Sequence, residues 1–186
     1  DEVQTGLGRC GAVWGIDTFG VVPDVLVTAK GLSGGIYPIS ATVYREHLDA
    51  FLRQNPFIHV STFGGSEVGC YAALEVLRIL EEPGFLDHVR AMAGVFQKGL
   101  AWLRGKHPGV LVQVRQRGLM MGLKLAHESL GPLLTLLGFR HGLLTIYANY
   151  DPSVSQLLPP LTIEREQVQE VLEALDRMLG ELDPKT

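Results

Sequence analysis

Nine residues, Val22 to Lys30, constrain this chain more than any other stretch. The segment VPDVLVTAK opens on a turn at Pro23-Asp24 and continues as a short apolar run. That pattern predicts a buried parallel strand whose C-terminal end delivers Lys30. Gly31, Gly34 and Gly35 follow at once and loosen the backbone beyond it. Strands followed by helices, then a smaller strand-and-helix unit, argue for two α/β layers rather than one doubly wound sheet.

The rest of the chain supplies such layers. IYPISATVY (residues 36–44) reads as a second strand with Pro38 at a bend, and Glu46 to Arg53 as a short helix with Leu48, Phe51 and Leu52 at helical spacing. Ser66 is placed to cap a helix running to Glu82, where Pro83-Gly84 stops it. The small residues Gly69, Cys70, Ala72 and Ala73 allow that helix to pack closely. Beyond Pro83 the texture changes. Phe85 to Lys106 reads as a helix, Val110–Val114 and Leu119–Leu125 as strands, Leu130–Arg140 as a helix and Leu143–Tyr147 as a strand. In the last helix Val168, Val171, Leu172, Leu175 and Leu179 repeat at helical spacing, with Glu164 and Glu166 in its first turn. The boundary is expected near residue 83, dividing the chain into 1–82 and 83–186.

Composition removes several classes of function. The 186 residues carry 16 basic and 20 acidic side chains without a long run of either sign, so no nucleic-acid partner is expected. Cys10 and Cys70 are isolated and match no metal spacing, which favours a reduced, cytoplasmic protein. No apolar stretch approaches the roughly 18 residues of a membrane span, so no membrane partner is expected. Gly6, Gly8 and Gly11 spell G-x-G-x-x-G, the dinucleotide fingerprint. The residues after them, Ala12-Val13-Trp14-Gly15-Ile16, make a poor helix start, so the match reads as chance within a glycine-rich loop.

The chemistry gathers around Lys30 and Asp1. An amine that forms a Schiff base with an aldehyde, and a carboxylate that keeps a heterocyclic nitrogen protonated, are what a pyridoxal 5′-phosphate (PLP) enzyme needs. The stretches DEVQTGLGRCG, GVVPDVLVTAKGLSGG, STFGG, RGLMMG and SQLLPPLTI together resemble the class III aminotransferases, the family of ornithine, acetylornithine and putrescine aminotransferases. The resemblance implies an α/β fold, the PLP-dependent transferase fold type I. Residues 1–82 would form the second part of the large, cofactor-binding domain and 83–186 the C-terminal small domain. It implies catalytic roles for Lys30, as Schiff-base lysine and proton shuttle, and for Asp1, on the pyridinium nitrogen. It implies Val3 on the ring face, Gln4 on the ring hydroxyl, and Thr62 on the cofactor phosphate of a neighbouring subunit in a homodimer with shared active sites. Cys10 and Ser66 stand where threonine and asparagine are commonest.

One departure bears on substrate. In many members an arginine three residues before the first proline of L-P-P-L clamps the substrate carboxylate, and here that position is Gln156. A neutral amide replaces a charged, bidentate fork. Arg115 and Arg117 read as structural, and His59 as a packed or hydrogen-bonded histidine. The expected activity is amino transfer from an amine or amino-acid donor to a keto acid or aldehyde. Aminomutases, racemases and decarboxylases of the same fold are the alternative within that cofactor class. The chain opens without methionine inside the motif and reads as a fragment, inactive alone; a non-catalytic folded fragment is the third reading.

Overall fold

The computed structural model describes residues 1–183, which divide into two compact units, Asp1–Leu86 and Asp87 onward.

In the first unit β1 (Val25–Thr28) pairs with β2 (Ala41–Tyr44), Val25 opposite Tyr44 and Thr28 opposite Ala41. The pairing is antiparallel, and β1 is buried only at Thr28. A buried parallel strand was expected, and the difference has a local cause. The chain reverses through a 3-10 turn at Lys30–Ser33 and returns beside the strand it has just left, so β2 is the partner β1 meets among the described residues. A short helix α1 (Ala50–Gln54) and an irregular stretch lead to α2 (Glu67–Leu80). Ser66 precedes α2, but its side chain makes no capping bond. Leu7, Leu32 and Leu80 form the small buried core, with Trp14, Ile39, Val76 and Leu77 packed against it. Gly69 lets α2 lie close to the segment beyond Lys30: a Cβ there would meet Tyr37 and Ile39 at 3.0 and 3.1 Å.

The second unit is a four-stranded antiparallel sheet in the order β3-β4-β6-β5, formed by Leu111–Arg117, Met120–Leu125, Asp151–Leu157 and Ile146–Ala148. Its helices are α3 (Phe85–Lys106), α4 (Leu130–Arg140) and α5 (Arg165–Gly180). Strand β4 alternates strictly, with Met121, Leu123 and Leu125 buried and Met120, Gly122 and Lys124 partly exposed. Phe96, Leu100 and Leu103 of α3, Leu130 and Leu134 of α4, and Leu175 and Met178 of α5 are buried as well. The Asp176 carboxylate of α5 accepts from Lys106 Nζ at 2.6 Å and His107 Nε2 at 2.7 Å at the end of α3. Those two donors hold it below the usual carboxylate range.

Strand β6 is not foreseen by the hydrophobic pattern. By register its inward positions are Ser155 and Leu157, while Val154 and Gln156 lie opposite the outward Lys124 and Gly122, so the usual apolar alternation is absent. Close approach of α4 explains the serine. A Cβ on Gly131 would fall 1.8 Å from the Pro152 carbonyl oxygen, and one on Gly138 would fall 2.3 Å from that of Leu143.

These contacts give a paired expectation. Gly131→Ala should cost about 2 kcal/mol, roughly 10 °C in the melting of the second unit, because backbone must move to admit the methyl group. Gly94→Ala, in α3 with nothing near its added Cβ, should instead stabilise by up to about 1 kcal/mol. Differential scanning calorimetry of both variants checks the contrast.

Candidate active site

The first unit carries the candidate site, and its organising group is one the sequence did not single out. The Glu2 side chain is 5% exposed. Its carboxylate accepts from the Thr5 hydroxyl at 2.6 Å, the Gly15 N–H at 2.9 Å and the Ile16 N–H at 2.7 Å. Burial opposes its charge, but the Thr5 hydroxyl and the Ile16 and Gly15 amides together outweigh that and keep the carboxyl below its ordinary pKa. The Glu2 N–H donates to the Val27 carbonyl at 2.7 Å, which binds the segment to the side of β1. Asp1 and Val3 were expected on a strand. Instead the turns begin at Val3, whose N–H donates to the Asp1 carboxylate at 2.9 Å. Residues 3–10 are successive turns, with Leu7 at φ +57° buried against the Lys30 turn. No strand–loop–helix unit accompanies the three glycines.

Lys30 stands two residues past the end of β1, as the first residue of its 3-10 turn, with φ +47°. A lysine in the left-handed region carries about 1–2 kcal/mol of strain that glycine would not. The conformation is imposed by its neighbours. Leu32, buried at 5% exposure, is locked into the core with Leu7 and Leu80, and α2 packs on the turn. The Lys30 side chain faces a hollow of about 420 Å³ shared with Ser33, Pro38, Ile39 and Ser40. A buried amine was expected, whereas Lys30 is exposed, because no described residue roofs that end of the strand.

The other candidates lie apart from this hollow. Asp1 is exposed, and Val3 and Gln4 are half-buried on the adjacent turn. They reach the same end of β1 through Glu2 but do not line the Lys30 hollow. Thr62 and His59 are exposed on the irregular stretch before α2. In the second unit Gln156 lies on a different hollow, with Arg115 and Arg117. The donor chemistry at Lys30 fits an aldehyde cofactor such as PLP: a primary amine and two serine hydroxyls on a cavity of ligand-binding size. Among the described residues no His, Cys, Asp and Glu group is arranged to hold a metal, and no helix is long and apolar enough to cross a membrane.

Comparison with known proteins gives the class. Residues 1–179 match the family model described as aminotransferase class-III. An uncharacterised aminotransferase of Archaeoglobus fulgidus is 51% identical over 94% of this chain and 41% of its own length. An acetylornithine aminotransferase of Caldanaerobacter subterraneus is 38% identical over 98% of this chain and 44% of its own. Among solved structures, ornithine δ-aminotransferase of Plasmodium falciparum superposes with a TM-score of 0.88 at 31% identity, covering 100% of this chain and 47% of that one. An (S)-enantioselective omega-transaminase of Thermomicrobium roseum gives 0.88 at 28% identity over 98% and 43%. The architecture is thus the α/β fold of the transaminases. The chain belongs to the class III aminotransferase family, and it spans less than half the length of these relatives.

Two expectations follow from the site's geometry. Glu2→Ala strands three donors in a buried place and should cost the first unit about 3 kcal/mol in urea unfolding. Because folding depresses the Glu2 pKa, its contribution is complete above the unfolded-state value and is lost as pH falls through the lower folded-state value. Wild-type stability should therefore decline below the normal carboxylate range by more than that of Glu2→Ala. Lys30→Gly should stabilise by about 1 kcal/mol through relief of the left-handed backbone, whereas Lys30→Ala should not.

Proposed function

We propose that the protein containing this chain is a PLP-dependent aminotransferase, passing an amino group from an amine or amino-acid donor to a keto acid or aldehyde. The observation that carries the reading is Lys30, held in a strained backbone conformation at the end of β1 and on a hollow of about 420 Å³. Strain of this kind is tolerated where a side chain must be aimed. The bond from Glu2 N–H to the Val27 carbonyl supports the pairing of Asp1 with Lys30, since it ties the acid's segment three residues before the lysine.

When bound, pyridoxal phosphate supplies the aldehyde that carries the amino group and the ring that withdraws electrons. The residues of the chain supply the rest. Asp1 holds a proton on the ring nitrogen through a charge-assisted bond worth about 1.5–3 kcal/mol. Val3 would stand against the ring face and Gln4 would bond its hydroxyl. The Lys30 amine anchors the cofactor, then takes a proton from the substrate carbon and returns one. Residues 1–82 act as part of the cofactor-binding domain and 83–186 as the small domain, with Gln156 contributing to the substrate site.

A homodimer with shared active sites accounts for Thr62, which would reach the neighbour's cofactor phosphate. Phe57, Ile58, Val60 and Phe63, on the same stretch and 59–88% exposed, support its being covered by a second copy. Relatives are named for acetylornithine, putrescine and ornithine, compounds that each carry an amino group at a chain end, which supports a terminal-amine donor. The reduced pair Cys10 and Cys70 supports a cytoplasmic setting.

The test is cofactor capture. Titration with PLP should produce a visible absorption band, and borohydride followed by peptide mapping should place a single covalent adduct on Lys30. Lys30→Ala should lose both signals. An adduct spread over surface lysines, or none, would reject Lys30 as the anchor.

A further inference from the structure

Helices α3 and α5 of the second unit run side by side in the same direction. His88, near the start of α3, bonds the Ile163 carbonyl just before α5 at 2.9 Å, and Lys106 and His107 at the other end reach Asp176. Between these fastenings the helices leave a surface groove made of two hollows, of about 330 and 300 Å³, which share Gly99, Gln169 and Leu172. The shared middle is its tight floor, since a Cβ on Gly99 would fall 2.2 Å from Leu172 Cδ1. Either side of that floor the relief differs. Beside Val95 an added Cβ on Gly94 would meet nothing, which leaves a gap, whereas Trp102 stands 59% exposed as a ridge.

The two hollows carry opposite charge. Lys98 and Arg165 line the one beside Gly94, and Glu173 and Asp176 line the one beside Trp102. Asp176 is taken by Lys106 and His107, but Lys98, Arg165 and Glu173 make no ion pair among the described residues. Glu173 accepts only a long bond from Gln169 Nε2, at 3.4 Å. Arg165, Gln169 and Glu173 follow at intervals of four on α5, so they share its outer face, the two charges about 12 Å apart. A two-fold axis laid across both helices at Gly99 and Gln169 reverses their direction. It brings Glu173 of a second copy to Arg165 and Lys98, and Trp102 of that copy to the gap at Gly94 and Val95. Both contacts then repeat in the opposite sense. At the axis the Gln169 amide, donor and acceptor at once, meets its own copy.

We propose that the α3–α5 groove is a self-association surface, covered by the same groove of a second copy of this chain, with Trp102 as its apolar anchor and the Arg165–Glu173 pairs fixing its register. A two-fold contact requires a face complementary to itself, and opposite charges set evenly about one point meet that requirement. An exposed tryptophan opposite a gap is the kind of anchor that carries interface energy. The surface needs only second-unit residues. It is separate from the Thr62 stretch and does not rest on the aminotransferase reading.

Sedimentation velocity of the protein from about 1 μM to about 1 mM tests it. The mass should double reversibly across that range, while tryptophan emission moves to shorter wavelength as Trp102 is covered. Trp102→Ala should weaken the association by at least about tenfold. Arg165→Glu and Glu173→Arg should each weaken it by about tenfold, because each sets like charges together twice. Mixed in equal amounts, those two variants should recover the wild-type association, since each supplies the charge that the other lacks. Glu128→Arg, an equal change of charge outside the groove, should leave it unchanged. A mass that stays constant in wild-type protein overturns the proposal. So does doubling that both reversals leave intact, which would belong to another surface. Failure of the mixture to recover association, with both variants folded by circular dichroism, overturns the two-fold pairing. Equal loss in Glu128→Arg overturns the assignment to this groove.

Discussion

A carboxylate almost closed off from solvent organises the first unit. Glu2 accepts from a hydroxyl and two main-chain amides drawn from residues 5, 15 and 16, while its own N–H pairs with Val27. A buried charge is tolerated only when its oxygens are saturated with donors, so the loop has little choice of path. That path brings Leu7 under the Lys30 turn, and Leu7, Leu32 and Leu80 then complete the core. The left-handed backbone at Lys30 is thus held from below by apolar packing and from the side by the Glu2 network.

The second unit depends on close approach rather than on buried charge. Gly131 and Gly138 bring α4 against the β5–β6 region so tightly that main-chain oxygens fill the places of their missing side chains. A serine then occupies an inward position of β6: Ser155 is buried, its hydroxyl without a hydrogen-bond partner among the described residues. With that face sealed by helices, polar groups collect on the other. Arg115, Arg117 and Gln156 project there around the gap at Gly122.

Helices with one apolar stripe were legible in the sequence. The spacing of Val168, Leu172, Leu175 and Leu179 places α5, and Leu100 and Leu103 mark the buried side of α3. Strands were legible where Met121, Leu123 and Leu125 alternate with smaller or polar residues, and not in β6, where serines and a proline erase the period. The antiparallel partner of β1 is not legible, because an apolar run states that a strand is covered without naming its neighbour. Lys30 and Asp1 stand out as candidates by their spacing and motif. Glu2 is not legible beside Asp1, since an acid next to another acid looks solvated until the donors around it are placed. Arg115 and Arg117 read as structural, yet only strand register could show that Arg115 shares a row with Gln156.

What residue order determined here is local and chemical: which segments coil, which extend, where an amine and an acid stand relative to glycine, and which family's motifs are spelled. Those properties depend on residue type and short spacing. Tertiary structure decided which groups are hidden and which share a face. Burial of Glu2, the backbone angle at Lys30 and the row joining Arg115, Gly122 and Gln156 each depend on contacts between residues far apart in sequence. Such contacts form only when packing brings distant segments together, and no short window of sequence encodes them.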